Sequence, residues 1–197
     1  MQIYGDTGSG NCLKVKYLAD YLGLDYEWLD VDIMDGGSRT DAFLAMNPQG
    51  QVPLLRLDDA RCLAQSNAIL RYLAAGSALL PEDPFMAAKV DEWLFWEQYS
   101  HEPYVAVCRF QMVYLGKSRD EREAWRVTRA EQALDFMEQR LAATCTASTG
   151  WLTTAGMTVA DIALFPYTRV AGEGGFDLAG RPAVRAWLDR VAAGLGL

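Results

Sequence analysis

The 197-residue sequence predicts an α+β first half followed by an all-α helical bundle. Three observations carry that prediction. Strand and helix periods alternate from the N-terminus, a stretch rich in proline and acid (Leu80-Pro81-Glu82-Asp83-Pro84) interrupts the apolar periodicity, and no strand pattern returns after it. The domains expected from this are residues 1–77 and 87–197, with the boundary in the Pro-rich stretch.

Element by element, Gln2 to Tyr4 reads as a short strand, and Val15, Leu18, Ala19 and Leu22 then recur on one helical face until Gly23 stops them. Tyr26 to Ile33 alternates again, with Leu29, Val31 and Ile33 on one face, before Gly36-Gly37. A strand-helix-strand order implies a right-handed crossover. Asp41 to Met46 is a short helix, Val52 to Leu57 and Arg61 to Leu63 form a hairpin around Asp58-Asp59, and Ser66 to Ala75 is a helix. That order is a small mixed sheet covered by helices. In the second half, Met86 to Cys108, Glu121 to Leu141, Val159 to Val170 and Ala183 to Ala193 are all helical in spacing.

Composition excludes several functions. Eighteen basic against twenty-six acidic side chains leave a formal charge of −8, which repels a phosphate backbone, so nucleic acid is not an expected partner. No apolar run approaches the roughly 18 residues of a membrane span, and the chain opens on strand-like residues without a basic segment and apolar signal core. A cytoplasmic protein is expected. Cys12, Cys62, Cys108 and Cys145 form no C-x-x-C pair, so reduced thiols are expected rather than a disulfide framework. With His101 as the one histidine, a multi-histidine metal site is excluded and no metal is expected.

Three segments of the first half carry chemistry. Asn47-Pro48-Gln49-Gly50-Gln51-Val52-Pro53-Leu54-Leu55 delivers the chain into a strand through a Val-Pro bond. With Pro53 cis, the Val52 backbone is left free to pair with an extended peptide; with Pro53 trans, the segment is an ordinary turn at a strand start. Gln65-Ser66-Asn67-Ala68-Ile69 opens an otherwise apolar helix, whose N-terminal N–H groups suit a carboxylate; a capping role explains Ser66 but leaves Gln65 unexplained. Thr7-Gly8-Ser9-Gly10-Asn11-Cys12 joins a strand end to a helix start, gathering hydroxyl, amide and thiol where the positive end of the dipole stabilises a thiolate.

As a set, these segments resemble the glutathione transferase superfamily, and the resemblance runs over nearly the whole chain. It implies a thioredoxin-like glutathione-binding domain followed by an all-helical domain contributing the electrophile pocket. It also implies an enzyme that activates the thiol of glutathione, its co-substrate, for attack on a hydrophobic electrophile, the chemistry of detoxification. Ser9 matches the theta-type serine that hydrogen-bonds the sulfur, and Asn11 sits where Nu-like bacterial members carry an asparagine, so two candidates share the catalytic role. The resemblance assigns Val52 to the cysteinyl backbone and Gln65 with Ser66 to the γ-glutamyl group, with Gln51 and Pro53 completing the glutathione-binding segment. Where many relatives carry a lysine or arginine before Val-Pro this chain has Gln51, and Arg39 is the candidate substitute. The strand-end tyrosine of other types corresponds to Tyr4, one residue early. His101 and Tyr104, at the end of the aromatic run Trp93 to Tyr99, are the residues assigned to the electrophile pocket, with beta-type relatives placing a histidine similarly; a lone histidine is otherwise a satisfied core or surface residue. Thr158-Val159-Ala160-Asp161 is a capping box flanked by Met157 and Ile162, a structural motif that resembles one in the family's second domain. A homodimer is the implied assembly. The alternatives are a glutathione-dependent disulfide reductase and a non-catalytic binding protein that kept the fold.

Overall fold

Ile3 and Tyr4 point to opposite faces of the first strand, and that alternation organises the first half of the chain. β1 (Gln2–Gly5) pairs in parallel with β2 (Glu27–Asp30) and antiparallel with β3 (Leu54–Arg56), which pairs antiparallel with β4 (Cys62–Ala64). The sheet order is β2-β1-β3-β4. Residues 1–146 and 149–197 are described by the computed structural model, the side chains of Cys145 and Thr146 excepted.

The parallel β1–β2 pair requires a crossover, and α1 (Gly10–Tyr21) supplies it. Its Val15 and Ala19 pack with Ile3, Leu55 and Ile69 on one face of the sheet; Ile69 belongs to α3 (Ser66–Leu73). On the other face, Phe43 of α2 (Asp41–Met46) packs with Val31 and Leu54, and Tyr4 meets it edge-on at 6.1 Å. Tyr4 is therefore a packing residue of the α2 side. β2 stops at Asp30, short of the expected Ile33, because the Asp32 carboxylate accepts from the N–H groups of Met34 and Asp35 and turns the chain out of the ladder.

The chain divides into two compact units, Met1–Gly76 and Ser77–Leu197. The Pro-rich stretch belongs to the second. Leu79 is buried and its carbonyl accepts from Val159 N–H at 3.0 Å, while Asp83 caps α4 (Pro84–Trp96) by accepting from Met86 N–H at 2.9 Å. The helix expected from Met86 to Cys108 is interrupted by a π-helical turn, Glu97–His101, before α5 (Glu102–Val113). Pro103 is the physical reason: it has no N–H for the carbonyl four residues back, and the widened turn absorbs the break. α6 (Ala124–Thr146) and α8 (Pro182–Leu195) complete the bundle around α7 (Val159–Arg169), in which every residue from Val159 to Thr168 is buried. A helix buried on all sides forms a core, and its polar members need partners. Of the four cysteines, Cys12, Cys62 and Cys108 are free thiols, and the Cys145 side chain lies outside the described residues.

Asp161 is the polar member that organises this unit. Its Oδ2 accepts from Thr158 N–H (2.9 Å) and the Thr158 hydroxyl (3.1 Å), and its Oδ1 from Leu152 N–H (3.1 Å) and Trp187 Nε1–H (2.9 Å). Burial raises the carboxyl above its ordinary range, and the four donors pull it back. One side chain thus joins the α7 N-terminus, the 149–158 loop and α8. Asp161→Ala strands all four buried donors, and we expect a loss of at least about 3 kcal/mol of stability. Urea unfolding followed by tryptophan fluorescence measures it, and a loss below about 1 kcal/mol would contradict this role.

Candidate functional site

The site begins where β1 hands the chain to α1. Gly5 ends the strand with the Trp28 ring against it: a Cβ there would lie 2.5 Å from the ring and 3.2 Å from Cys12 Cβ, so only glycine fits between them. The loop is drawn tight by Asp6, whose carboxylate accepts from Gly8 N–H at 2.7 Å and whose carbonyl accepts from Ser9 N–H at 3.0 Å. Ser9 is the N-cap of α1 in extended conformation, but its hydroxyl makes no capping bond; it hydrogen-bonds the Cys12 side chain instead. No acid lies in the first turn of α1, so the positive end of its dipole is not offset from within.

Cys12 itself is not the reactive group its position suggests. It is fully buried, and burial pushes its thiol up to about 11, against the lowering hydrogen bonds of the Asp6 backbone and Ser9. A neutral core thiol results, hydrogen-bonded by the Ser9 hydroxyl.

Asn11, the second α1 candidate, is tied down by its amide oxygen. Oδ1 accepts from Lys14 Nζ at 2.8 Å and from the Ser66 hydroxyl at 3.1 Å. Ser66 starts α3, so this bond brings the N-termini of α1 and α3 together. The residue before it, Gln65, is held at φ +72°, in the left-handed region that a non-glycine side chain enters only when its surroundings demand it. Gln65 is exposed, and its Nε2 donates to Gln49 Oε1 at 3.3 Å. The strained backbone turns the Gln65 side chain outward while Ser66 turns its hydroxyl in.

The 47–53 segment lies alongside. Val52-Pro53 is cis. Asn47 Nδ2–H donates to the Gln51 carbonyl at 2.7 Å, shaping the turn, and Val52 stands outside the ladder with neither backbone group bonded to another among the described residues. Gln51 is exposed and supplies no charge. The nearby cation is Arg39, whose guanidinium donates to the Gln49 carbonyl at 3.1 Å and lies against Gly50, where a Cβ would sit 2.6 Å from it.

The first unit thus joins Asn11 to Ser66, with Ser9 at the start of the same helix as Asn11, and bonds Gln65 to Gln49 in the turn that carries Gln51, Val52 and Pro53. The helical unit separates its two candidates. His101 is 0 % exposed, with Nε2 3.0 Å from the Thr168 hydroxyl, a core position. Tyr104 is half-buried and lines a cavity of about 260 Å³ with Trp96, Tyr99, Ser100, Arg129 and Phe136; His101 is not among the lining residues. Lys14 was missed by motif reading. Its signal was a lysine three residues after Asn11, on the same helical face and beside the apolar Val15. Among the described residues no group of three or more His, Cys, Asp or Glu is arranged to hold a metal ion, and no helix is long and apolar enough to cross a membrane.

Known proteins resemble this chain in sequence and fold. Residues 8–75 match the family model of the glutathione S-transferase N-terminal domain, and residues 118–190 that of the C-terminal domain. The chain is 33 % identical to glutathione S-transferase 3 of Zea mays over 98 % of its own length and 89 % of the relative's. It is 30 % identical to glutathione S-transferase theta-1 of Bos taurus over 100 % and 83 %. The crystal structure of a glutathione S-transferase from Pseudomonas fluorescens superposes with a TM-score of 0.91 at 48 % identity, covering 98 % of this chain and 94 % of that one. With both domain models matched and near full-length relatives on either measure, the chain belongs to the glutathione S-transferase superfamily.

Proposed function

We propose that the protein, a glutathione transferase, binds glutathione along the first unit, lowers the pKa of its thiol at the start of α1, and directs the thiolate to an electrophilic small molecule held by the helical unit. The carrying observation is the junction of two helix N-termini at Asn11 and Ser66, with the Ser9 hydroxyl at the same helix start and free of any capping duty. Ser9, helped by Asn11, donates to the sulfur. A hydrogen bond to the charged form and a nearby positive dipole end both favour thiolate over thiol. The proton leaves the sulfur for solvent, and the thiolate pair forms the bond to the electrophilic carbon as a leaving group departs with its bonding pair or, in an addition, as the π pair moves to the neighbouring atom and takes up a proton from solvent.

The remaining contacts follow from the chemistry of the peptide. Val52 offers an uncommitted N–H and C=O to the cysteinyl backbone, in the manner of strand addition. Gln65 and the N–H groups opening α3 take the γ-glutamyl end. Arg39 replaces the cation missing at Gln51 and takes the glycyl carboxylate, since its guanidinium already lies against the turn before Val52. Tyr104 and its aromatic neighbours form the apolar surface for the electrophile. His101 acts through the core rather than by contact. The protein is cytoplasmic and a homodimer, its interface joining the first domain of one subunit to the helical domain of its partner. Large apolar side chains left exposed on the helical unit, Phe85, Phe95 and Trp125 among them, support an assembly that covers them.

Glutathione-dependent disulfide reduction is the second reading. The observation favouring it is Asn11, firmly oriented beside a Cys12 thiol too buried to take part, which leaves exchange to glutathione alone.

Ser9→Ala should depress conjugation far more than glutathione binding, raising the bound thiol's pKa by about one to two units and moving the pH profile of turnover upward by as much. Gln65→Ala should weaken binding and leave that profile in place. Near-normal turnover in Ser9→Ala with none in Asn11→Ala would replace the serine assignment by the asparagine one, with disulfide reduction as the main activity. For the assembly, sedimentation at micromolar concentration should give a dimer, and a monomer there would contradict it.

A further inference from the structure

The cavity of about 260 Å³ in the helical unit has one charged residue in its lining, Arg129. Arg129, Gln132, Ala133 and Phe136 stand at i, i+3, i+4 and i+7 of α6, on one face of that helix. Ala133 is small and buried, which leaves room above it, and the Trp96 ring meets that of Phe136 at 5.1 Å between centroids to form an aromatic wall. Seven residues of helix set Arg129 and Phe136 about 10 Å apart along the axis, so the cavity has a cationic end and an aromatic end. Among the described residues the Arg129 guanidinium makes no hydrogen bond, ion pair or ring contact, and the acids of α6 are engaged elsewhere. Glu131 and Asp135 accept from Arg181 at 2.5 and 2.7 Å, and Glu138 accepts from the N–H groups of Ala183 and Val184. Glu123, just before the helix, accepts from Gln111 and Arg126. Arg126, one turn earlier, is the contrast: it donates to the Pro103 carbonyl at 2.5 Å and braces α6 against α5.

We propose that Arg129 is a specificity-determining residue, selecting an electrophile that carries a carboxylate on an aromatic ring, with the ring against Trp96, Tyr104 and Phe136 and the carboxylate on the guanidinium. This rests on the reading of the cavity as the electrophile surface and adds the substrate class. At about 260 Å³ the cavity falls below the roughly 300 Å³ from which pockets take drug-sized ligands, so its occupant is a single substituted ring. A guanidinium offers a planar carboxylate two parallel N–H donors, whereas Ser100 and Gln132 are neutral and hydrogen-bond polar groups without regard to charge. A ring lodged on the aromatic wall also keeps water from one side of the ion pair, which strengthens it beyond an ordinary surface pair. The carboxylate takes no part in the bond change, so it is held alike before and during reaction and the effect falls on KM. An arginine that is only solvated would have a different signature, with neither charged nor neutral substrates affected by its loss.

The test uses a chlorodinitrobenzoate and its neutral amide, rings of nearly the same size that differ in charge. In either, the glutathione thiolate forms the carbon–sulfur bond at the carbon bearing chlorine, chloride leaves with its bonding pair, and the thiol proton goes to solvent. Each rate is divided by the uncatalysed rate with glutathione, which removes the difference in ring reactivity. The wild type should then favour the benzoate. Arg129→Gln should lose about tenfold in kcat/KM for the benzoate, mostly through KM, and less than about twofold for the amide. Arg129→Lys, which keeps the charge without the fork, should retain part of the preference. Arg129 is exposed, so both variants should fold like the wild type. Tyr104→Ala, which removes part of the wall, should weaken both substrates alike. A wild type that favours the amide, or an Arg129→Gln that leaves both substrates unchanged or lowers both equally, overturns the inference; with Tyr104→Ala still weakening both, the reading of the cavity stands. If Tyr104→Ala changes neither substrate, the cavity is not the electrophile surface and the inference falls with that reading.

Discussion

The hydrogen bond between Ser66 and Asn11 ties the N-terminus of α3 to that of α1, and the chemistry proposed for the first unit depends on that junction. Each helix end carries N–H groups without intrahelical partners and a partial positive charge, modest singly. Ile3, Val15, Leu55 and Ile69 pack the two helices over the same face of the sheet, and the Asn11–Ser66 bond sets their N-termini side by side. The surrounding geometry serves the junction. Gly5 lets the start of α1 lie close against Trp28, Asp6 tightens the loop that carries Ser9, and the backbone at Gln65 accepts a left-handed conformation so that Ser66 can turn inward.

Much of this was legible in the sequence because its signals are local. Period-2 and helical spacings located the four strands and most helices, and the Ser9, Asn11, Val52-Pro53 and Gln65-Ser66 segments fell where the fold gathers them. What was not legible depends on contacts between segments. The burial of Lys14 and its bond to Asn11 needed the folded packing, and a lysine on an apolar helical face otherwise reads as a solvated side chain. The burial of Cys12 needed Trp28 and Gly5 around the same point; from spacing alone the thiol looks as available as the hydroxyl beside it. The end of β2 was set by the Asp32 turn, which competes with the alternation Leu29, Val31, Ile33 and prevails. The π-helical turn before Pro103 left no mark on the periodicity, although the proline itself was visible.

The two units hold their polar residues in different ways. In the helical unit Asp161 meets four donors and His101 meets Thr168, so these groups consolidate a core. In the first unit Ser9 makes no capping bond and its hydroxyl meets Cys12, Val52 stands outside the ladder, and Gln65 keeps a strained backbone with its side chain exposed against Gln49. The uncommitted Val52 backbone and the strained Gln65 backbone are the features the proposed binding site would use.

The central claim is that this junction stabilises the thiolate of bound glutathione. Its most direct test is the thiol pKa of glutathione bound to the unmodified protein, followed by thiolate absorbance across pH. A midpoint about one to two units below the ordinary thiol value of about 8.5 is the predicted result. A bound thiol that ionises at its ordinary value, with the peptide held in place, would contradict it.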